Sequence, residues 1–388
     1  MAPPTVAMLL SNGFRPDPRV LKEARTLAGA GWAVEIIAWD REGAFVPAER
    51  LEGFTVQRIA AVPSRYGAGW VQALRLPRFW WHAWRRLAQL RPDVIHCHDF
   101  DTLPPGLLWR LAHGGRVVYD AHEDYAAMQA PRLRGALGAG MRQLLDAAEC
   151  RLAARADAVI TVDDHLAGRY PAAKTTILGH YPPAAFAPPA PPRSAAAPVL
   201  VYCGRLSTDR GLLVVAAALH ALARVGLRPR LRLLGTWTSA AEEQAFRTAM
   251  TDLEEQLDFR GWAPFSAVPA QLAGATVALA PLQPVPRYLA ALPVKLFEYM
   301  ACALPVVASD FPPLRKVVET ANCGLLVDPT DAGALAAAIA VLLNDPELAG
   351  RLGSNGAAAF RAAFNWEAIE PLLTGLYARL CPSSQGHE

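Results

Sequence analysis

The sequence predicts an α/β protein of two doubly wound parallel-sheet domains. Short apolar, β-branched runs alternate with longer Ala/Leu/Arg segments, a proline-rich stretch interrupts that alternation, and the alternation then restarts. The chain has 388 residues, more than the ~100–200 typical of one domain, which agrees with two cores. The expected layout is a first domain over 1–180, a connector over 181–197 and a second domain over 198–365, with an amphipathic helix over 366–381. A cleft at the carboxyl ends of the strands is the place where such sheets put ligands.

In the first half the strands are read at "TVAMLLSNG", "AVEIIAW", "PDVIHCHD", "GRVVYDAH" and "ADAVITV". The first helix, "DPRVLKEARTLAGAG", has Asp17 as its N-cap and Pro18 in its first turn. Leu21, Ala24, Leu27 and Ala28 recur at helical spacing, and Gly29 and Gly31 stop it. Arg19 is read as a helix-start residue. The connector "HYPPAAFAPPAPPRSAAAP" is stiffened by proline. Beyond it follow "PVLVYCGRL", a helix, "RLRLLGTW", a helix, "LDFRG", "ATVALAPL", "LPVVASD" and "CGLLVDP".

A net charge of +3 without a Lys/Arg-rich tail argues against nucleic acid as a partner. The six cysteines are scattered and mostly apolar in context, so they read as reduced core thiols and not as a zinc or disulfide framework. No signal-like segment and no run of about 18 apolar residues is present, which predicts a cytoplasmic protein. The stretch 65–93 combines Trp70, Phe79, Trp80, Trp81 and Trp84 with six arginines. It fits either peripheral contact with the inner membrane face or a helix that packs its aromatics while the arginines stay wet.

Two segments of the second half carry chemistry. In "YCGRLSTDRGL", Arg205 and Arg210 flank a turn that opens a helix. Guanidiniums beside helix-end N–H groups suit a diphosphate, and a solvated turn fits the same residues. Neither a Walker A nor a G-x-G-x-x-G sequence follows a strand, which removes the main support for ATP hydrolysis and ordinary dinucleotide binding. In "PVKLFEYMACALPVVASD", Pro293 starts a helix that places Lys295 and Glu298 on one face, with Phe297, Met300 and Ala301 inward. The pair reads either as an intrahelical ion pair or as a carboxylate that accepts bonds from two neighbouring hydroxyls. In the first half, His96 and His98 alternate onto one strand face, and Asp99 and Asp101 form a D-x-D that invites a metal reading. With two arginines available as cations for an anionic ligand, no metal is assigned.

Taken together, "GRLSTDRG", "LDFRGW" and "PVKLFEYMACALPVVASD" resemble the nucleotide-sugar-binding domain of the retaining GT-B glycosyltransferases of the family 4 type, which includes sucrose synthase-like and bacterial polysaccharide enzymes. "DPRVLKEARTLAGAGWAVEIIAWDR", "PDVIHCHDFDTLPPG" and "VVYDAHEDY" resemble the acceptor domain of its bacterial members. The resemblance implies a GT-B fold with a deep interdomain cleft, the helix over 366–381 packing back on the first domain. It further implies that Arg205 and Arg210 hold the donor diphosphate, Lys295 assists, and Glu298 grips the ribose as the second Glu of an E-x7-E motif. Gly261 and Trp262 would lie against the base, and Gly13 and Leu296 would complete the donor site. His122 would stand near the transferred sugar, with His98, Asp99 and Glu123 on the acceptor side.

Two departures stand out: Arg210 occupies a place where the family more often has Lys, and Ala290 stands where the first Glu of that motif belongs. The implied activity is retaining transfer from a UDP- or GDP-sugar to an acceptor hydroxyl on a glycan, lipid-linked sugar or small molecule. It would proceed by a front-face mechanism that requires no metal or other cofactor. A non-catalytic nucleotide-sugar-binding partner and a nucleotide-sugar epimerase are the alternatives on the same architecture.

Overall fold

The computed structural model describes residues 2–14, 17–64, 70–126, 135–188 and 197–382. The chain divides into two units, residues 1–180 with 369–388, and residues 181–368.

The first unit is built on β1 (Thr5–Leu10), β2 (Ala33–Trp39), β3 (Ala48–Leu51), β4 (Phe54–Ile59), β5 (Val94–His98), β6 (Arg116–Ala121), β7 (Ala158–Thr161) and β8 (Thr175–Ile177). Their order in the sheet is β3-β4-β2-β1-β5-β6-β7-β8, with β3 alone antiparallel to its neighbour. Strands β1, β5 and β7 are buried along nearly their whole length because helices cover both faces of the sheet. The edge hairpin β3–β4 was not among the strands read from the sequence, although Phe54 and Val56 alternate with exposed Thr55 as a half-covered strand requires.

Helix α1 (Pro18–Gly29) begins as its sequence dictates. The Asp17 carboxylate accepts from the Arg19 N–H at 3.1 Å, and Pro18 occupies the first turn, where no N–H is needed. Helix α2 (Trp70–Leu90) buries Phe79 against Trp39, with ring centroids 5.2 Å apart, and sets Trp84 on Trp109. Trp80 donates its indole N–H to the Asp101 carbonyl at 2.9 Å, while Trp81 and Leu74 remain exposed. Residues 65–69 of that stretch and residues 189–196 of the proline-rich connector lie outside the described residues.

The second unit holds β9 (Val199–Cys203), β10 (Arg230–Leu234), β11 (Leu257–Gly261), β12 (Val277–Ala280), β13 (Val306–Ser309) and β14 (Gly324–Val327), all parallel in the order β11-β10-β9-β12-β13-β14. The order reverses between β9 and β12, the position where open α/β sheets form a crevice beyond their carboxyl ends. Two apolar clusters, one on each face, sandwich this sheet.

All six cysteines are free, and four of them are buried. Among the described residues no single helix is long and apolar enough to cross a membrane.

Candidate active site

At the carboxyl ends of β9, β10 and β11 the chain passes through Gly204, Gly235 and Gly261, each with positive φ. A Cβ on Gly235 would lie 1.8 Å from the Gly204 carbonyl oxygen, so the two backbones meet only because residue 235 carries no side chain. After Gly204 the loop makes a short turn over Thr208–Arg210. It then enters the helix Leu212–Arg224 through Gly211, and no side chain caps that helix. Gly211 has φ +86°, and a Cβ there would stand 1.9 Å from the Pro281 carbonyl oxygen. Gly211→Ala is therefore expected to destabilise the protein by about 3 kcal/mol or more and to displace the loop, measured as a lowered Tm.

The helix Val294–Ala301 starts after Pro293, as the sequence suggested, and buries Phe297, Met300 and Ala301. Tyr299 fixes it to the sheet: its hydroxyl oxygen accepts from the Cys203 N–H at 2.8 Å, and the hydroxyl donates to the Leu279 carbonyl at 3.3 Å. Lys295 is turned toward the glycine floor, and its Nζ stands 3.3 Å from where a Gly204 Cβ would be. The ammonium lies 3.6 Å from the centroid of the Tyr202 ring, is 6 % exposed as a residue, and has no hydrogen-bond partner. Burial pushes it down to about 7, and the nearby Arg210 guanidinium adds to the effect. Glu298 is half-buried, and burial pushes its carboxyl up to about 7 against the opposing field of Lys295. No ion pair joins Lys295 to Glu298, so the intrahelical pair that the sequence allowed is not formed.

Arg210 lies over the Tyr288 ring at 5.4 Å, while Arg205 is exposed. Neighbouring Arg287 is occupied by an ion pair with Asp209. Trp262 is 72 % exposed beside Gly261. Leu296 has a side chain wholly buried in the core, where it packs the helix. Tyr202, Tyr288 and Gly235 were missed by sequence reasoning. Gly235 carried the same signal as Gly204, a glycine directly after a buried strand.

The first unit has its own polar centre. His96 and His98 project from one face of β5 with stacked rings 4.3 Å apart, and Asp120 stands opposite His98 on β6. His122 places Nε2 2.8 Å from Asp120 Oδ2 and 3.1 Å from His98 Nδ1, with Nδ1 3.6 Å from Asp99 Oδ2. Burial lowers His98 well below the usual range, with His96 adding to it. Burial and Arg19 would lower His122 too, but Asp120 and Asp99 outweigh them and raise it. Asp99 is partly exposed at φ +62°, whereas Asp101 is buried and accepts from the Tyr125 hydroxyl at 2.7 Å. The D-x-D pair is thus split between two environments.

Glu123 is exposed after β6. The Gly13 carbonyl accepts from Arg58 Nε at 2.9 Å, and a Cβ there would press on Phe45 at 3.0 Å. Arg19 does more than start α1, because its guanidinium donates to the His180 ring beside this centre.

Comparison with known proteins agrees with both halves. Residues 19–173 match the family described as "Glycosyltransferase Family 4", and residues 197–345 match "Glycosyl transferases group 1". The GDP-mannose-dependent alpha-(1-6)-phosphatidylinositol dimannoside mannosyltransferase of Mycobacterium tuberculosis is 30 % identical over 276 residues, which cover 67 % of this chain and 68 % of that protein. The chain belongs to the family 4 type of glycosyltransferases. The glycogen synthase of Mycobacterium tuberculosis is 26 % identical to this glycosyltransferase over 301 residues, covering 74 % of this chain and 69 % of that protein. The sucrose-phosphate synthase from Thermosynechococcus elongatus superposes with a TM-score of 0.81 at 23 % identity, covering 98 % of this chain and 100 % of that one. The glycosyltransferase has the GT-B fold, two parallel-sheet α/β domains.

Proposed function

We propose that the enzyme transfers a sugar, with retention of anomeric configuration, from a nucleoside-diphosphate sugar to an acceptor hydroxyl. The observation that carries this reading is the Lys295 ammonium, buried, without a hydrogen-bond partner and close to Arg210. A buried cation without a counter-charge is costly, and an anion at the strand ends relieves that cost. The diphosphate is held by Lys295, Arg210 and Arg205, and the ribose hydroxyls donate to Glu298. The base lies along Gly261 and Trp262. The glycine floor of Gly204 and Gly235 lets the phosphates approach the backbone.

In the transfer step the bond from the sugar C1 to the diphosphate oxygen breaks as the acceptor oxygen bonds to C1 on the same face. The acceptor proton passes to a leaving-group oxygen. Negative charge grows on the diphosphate, where the three cations meet it, so no metal is needed at the phosphates. His122, hydrogen-bonded to Asp120 at 2.8 Å, is assigned to the acceptor together with Asp99 and Glu123, whereas His98 is buried behind it. No protein nucleophile is required, which suits alanine at residue 290.

The GDP-mannose-dependent relative supports a GDP-sugar as donor and a lipid-linked sugar as acceptor. Exposed Leu74 and Trp81 beside exposed Arg78 and Arg85 support peripheral membrane contact by α2. The test is a thermal-shift panel of UDP-, GDP- and ADP-sugars followed by a transfer assay with the product anomer read by NMR. One nucleotide series is expected to raise Tm by several degrees, and the product is expected to keep the donor's configuration. No stabilisation by any of the three, or an inverted product, overturns the reading.

A further inference from the structure

We propose that Glu23, His96, His98 and Asp120 hold a divalent transition-metal ion, Zn2+ foremost, inside the first unit. Two adjacent strands and the helix α1 bring these side chains together: the histidines from β5, Asp120 from the paired position on β6, and Glu23 from one turn into α1. One ligand atom from each lies within 4.8 Å of all the others. Glu23 Oε2 is 3.6 Å from His96 Nε2, and His96 Nε2 is 3.7 Å from Asp120 Oδ2. Neighbouring ligands on a tetrahedral ion with bonds of about 2.0–2.1 Å stand roughly 3.4 Å apart, a spacing the Glu23–His96 and His96–Asp120 pairs already approach, while the widest pair closes in on binding.

Burial makes the geometry consequential. All four residues are at most 2 % exposed, and each keeps a side-chain atom without a hydrogen-bond partner: Glu23 Oε2, His96 Nε2, His98 Nε2 and Asp120 Oδ1. Buried polar groups are almost always satisfied, and four clustered residues that each keep an unmet side-chain atom call for a shared occupant. A dication answers two carboxylates and two imidazole lone pairs at once. The mixed nitrogen and oxygen donor set suits Zn2+ better than Mg2+ or Ca2+, which favour oxygen throughout.

The surroundings fit as well. His96 Nδ1 lies 2.8 Å from the Tyr377 hydroxyl, an outer partner that leaves Nε2 free to face the ion. Asp120 Oδ2 also accepts from His122 at 2.8 Å, so an ion bound to Asp120 fixes the orientation of that imidazole. The ion belongs to the first unit, whereas the phosphate-binding cations belong to the second; its role is structural and positioning.

Metal content per chain is measured by mass spectrometry on untagged, full-length protein, and chelator-treated protein is then titrated with Zn2+ or Co2+. About one Zn2+ per chain, a Tm rise on the order of 5 °C on its return, and intense visible bands of four-coordinate Co2+ are expected. Glu23→Gln, nearly isosteric, is expected to lose at least tenfold in metal affinity and His96→Ala more. Substoichiometric metal together with no Tm response to Zn2+ overturns the proposal, as does a Glu23→Gln protein that keeps wild-type affinity. The wild-type Co2+ spectrum decides the matter even if a variant fails to fold.

Discussion

Lys295→Met is expected to give a protein that is more stable without ligand and far poorer at binding nucleotide. In the native state Lys295 titrates near 7, against 10.5 for a free lysine, because burial, and then Arg210, oppose its charge. A depressed pKa means that the stability associated with this group is complete above about 10.5. That stability is lost as pH falls toward 7, on the order of 4 kcal/mol in the wild-type enzyme. Methionine keeps the unbranched stem over Tyr202 and removes the charge, so the ligand-free Tm should rise by several degrees at pH 7.

The same substitution removes the charge-assisted contact proposed for the diphosphate, and affinity should fall on the order of 10²-fold. Wild-type affinity should also decline as pH rises above 7, by up to about tenfold per unit, because the anion binds the protonated amine. That decline should vanish in Lys295→Met. Glu298, pushed up to about 7 by burial, acts oppositely, since below 7 its carboxylate is protonated and accepts the ribose hydroxyls less well. Calorimetric titration of UDP and GDP between pH 6 and 9 checks each point. Wild-type affinity in the methionine variant would end the case for a phosphate at Lys295.

Arg210→Ala is expected to lower kcat/KM for transfer by on the order of 10²–10³ while leaving Tm nearly unchanged. Arg210 forms no ion pair, so its removal strands no carboxylate, and its packing partner Tyr288 remains held at the Asp209 cluster. Arg287 cannot take its place because Asp209 already holds it. Arg205→Ala should act in the same direction with a smaller effect, since an exposed guanidinium works in water's high dielectric. Steady-state rates at saturating acceptor measure both. Two variants that turn over at the wild-type rate would remove the arginines from the mechanism.

Much of this was legible locally. Asp17 and Pro18 start α1, Pro293 starts the helix that carries Glu298, and glycine after a buried strand marks the places where backbone meets backbone. Each of these signals acts within a few residues. The Lys295–Glu298 pair shows where such reading ends. Spacing of i, i+3 allowed them to meet, but the ring of Tyr202, more than ninety positions earlier, drew the ammonium away. The D-x-D pair failed for a similar reason, because the left-handed turn at Asp99 and the hydroxyl of Tyr125 separate two carboxylates that are close in sequence.

By itself, then, the sequence determined the two alternating α/β halves, the helix starts and the candidate cations, because periodicity, capping and proline act over short spans of chain. Only the tertiary structure decided which charges stay unpaired and which side chains share a cavity. Glu23, His96 with His98, Asp120 and Tyr377 come from four separate parts of the chain. Parallel pairing of β5 with β6 and the packing of helices on the sheet bring them within reach of one another, and no local pattern encodes that convergence.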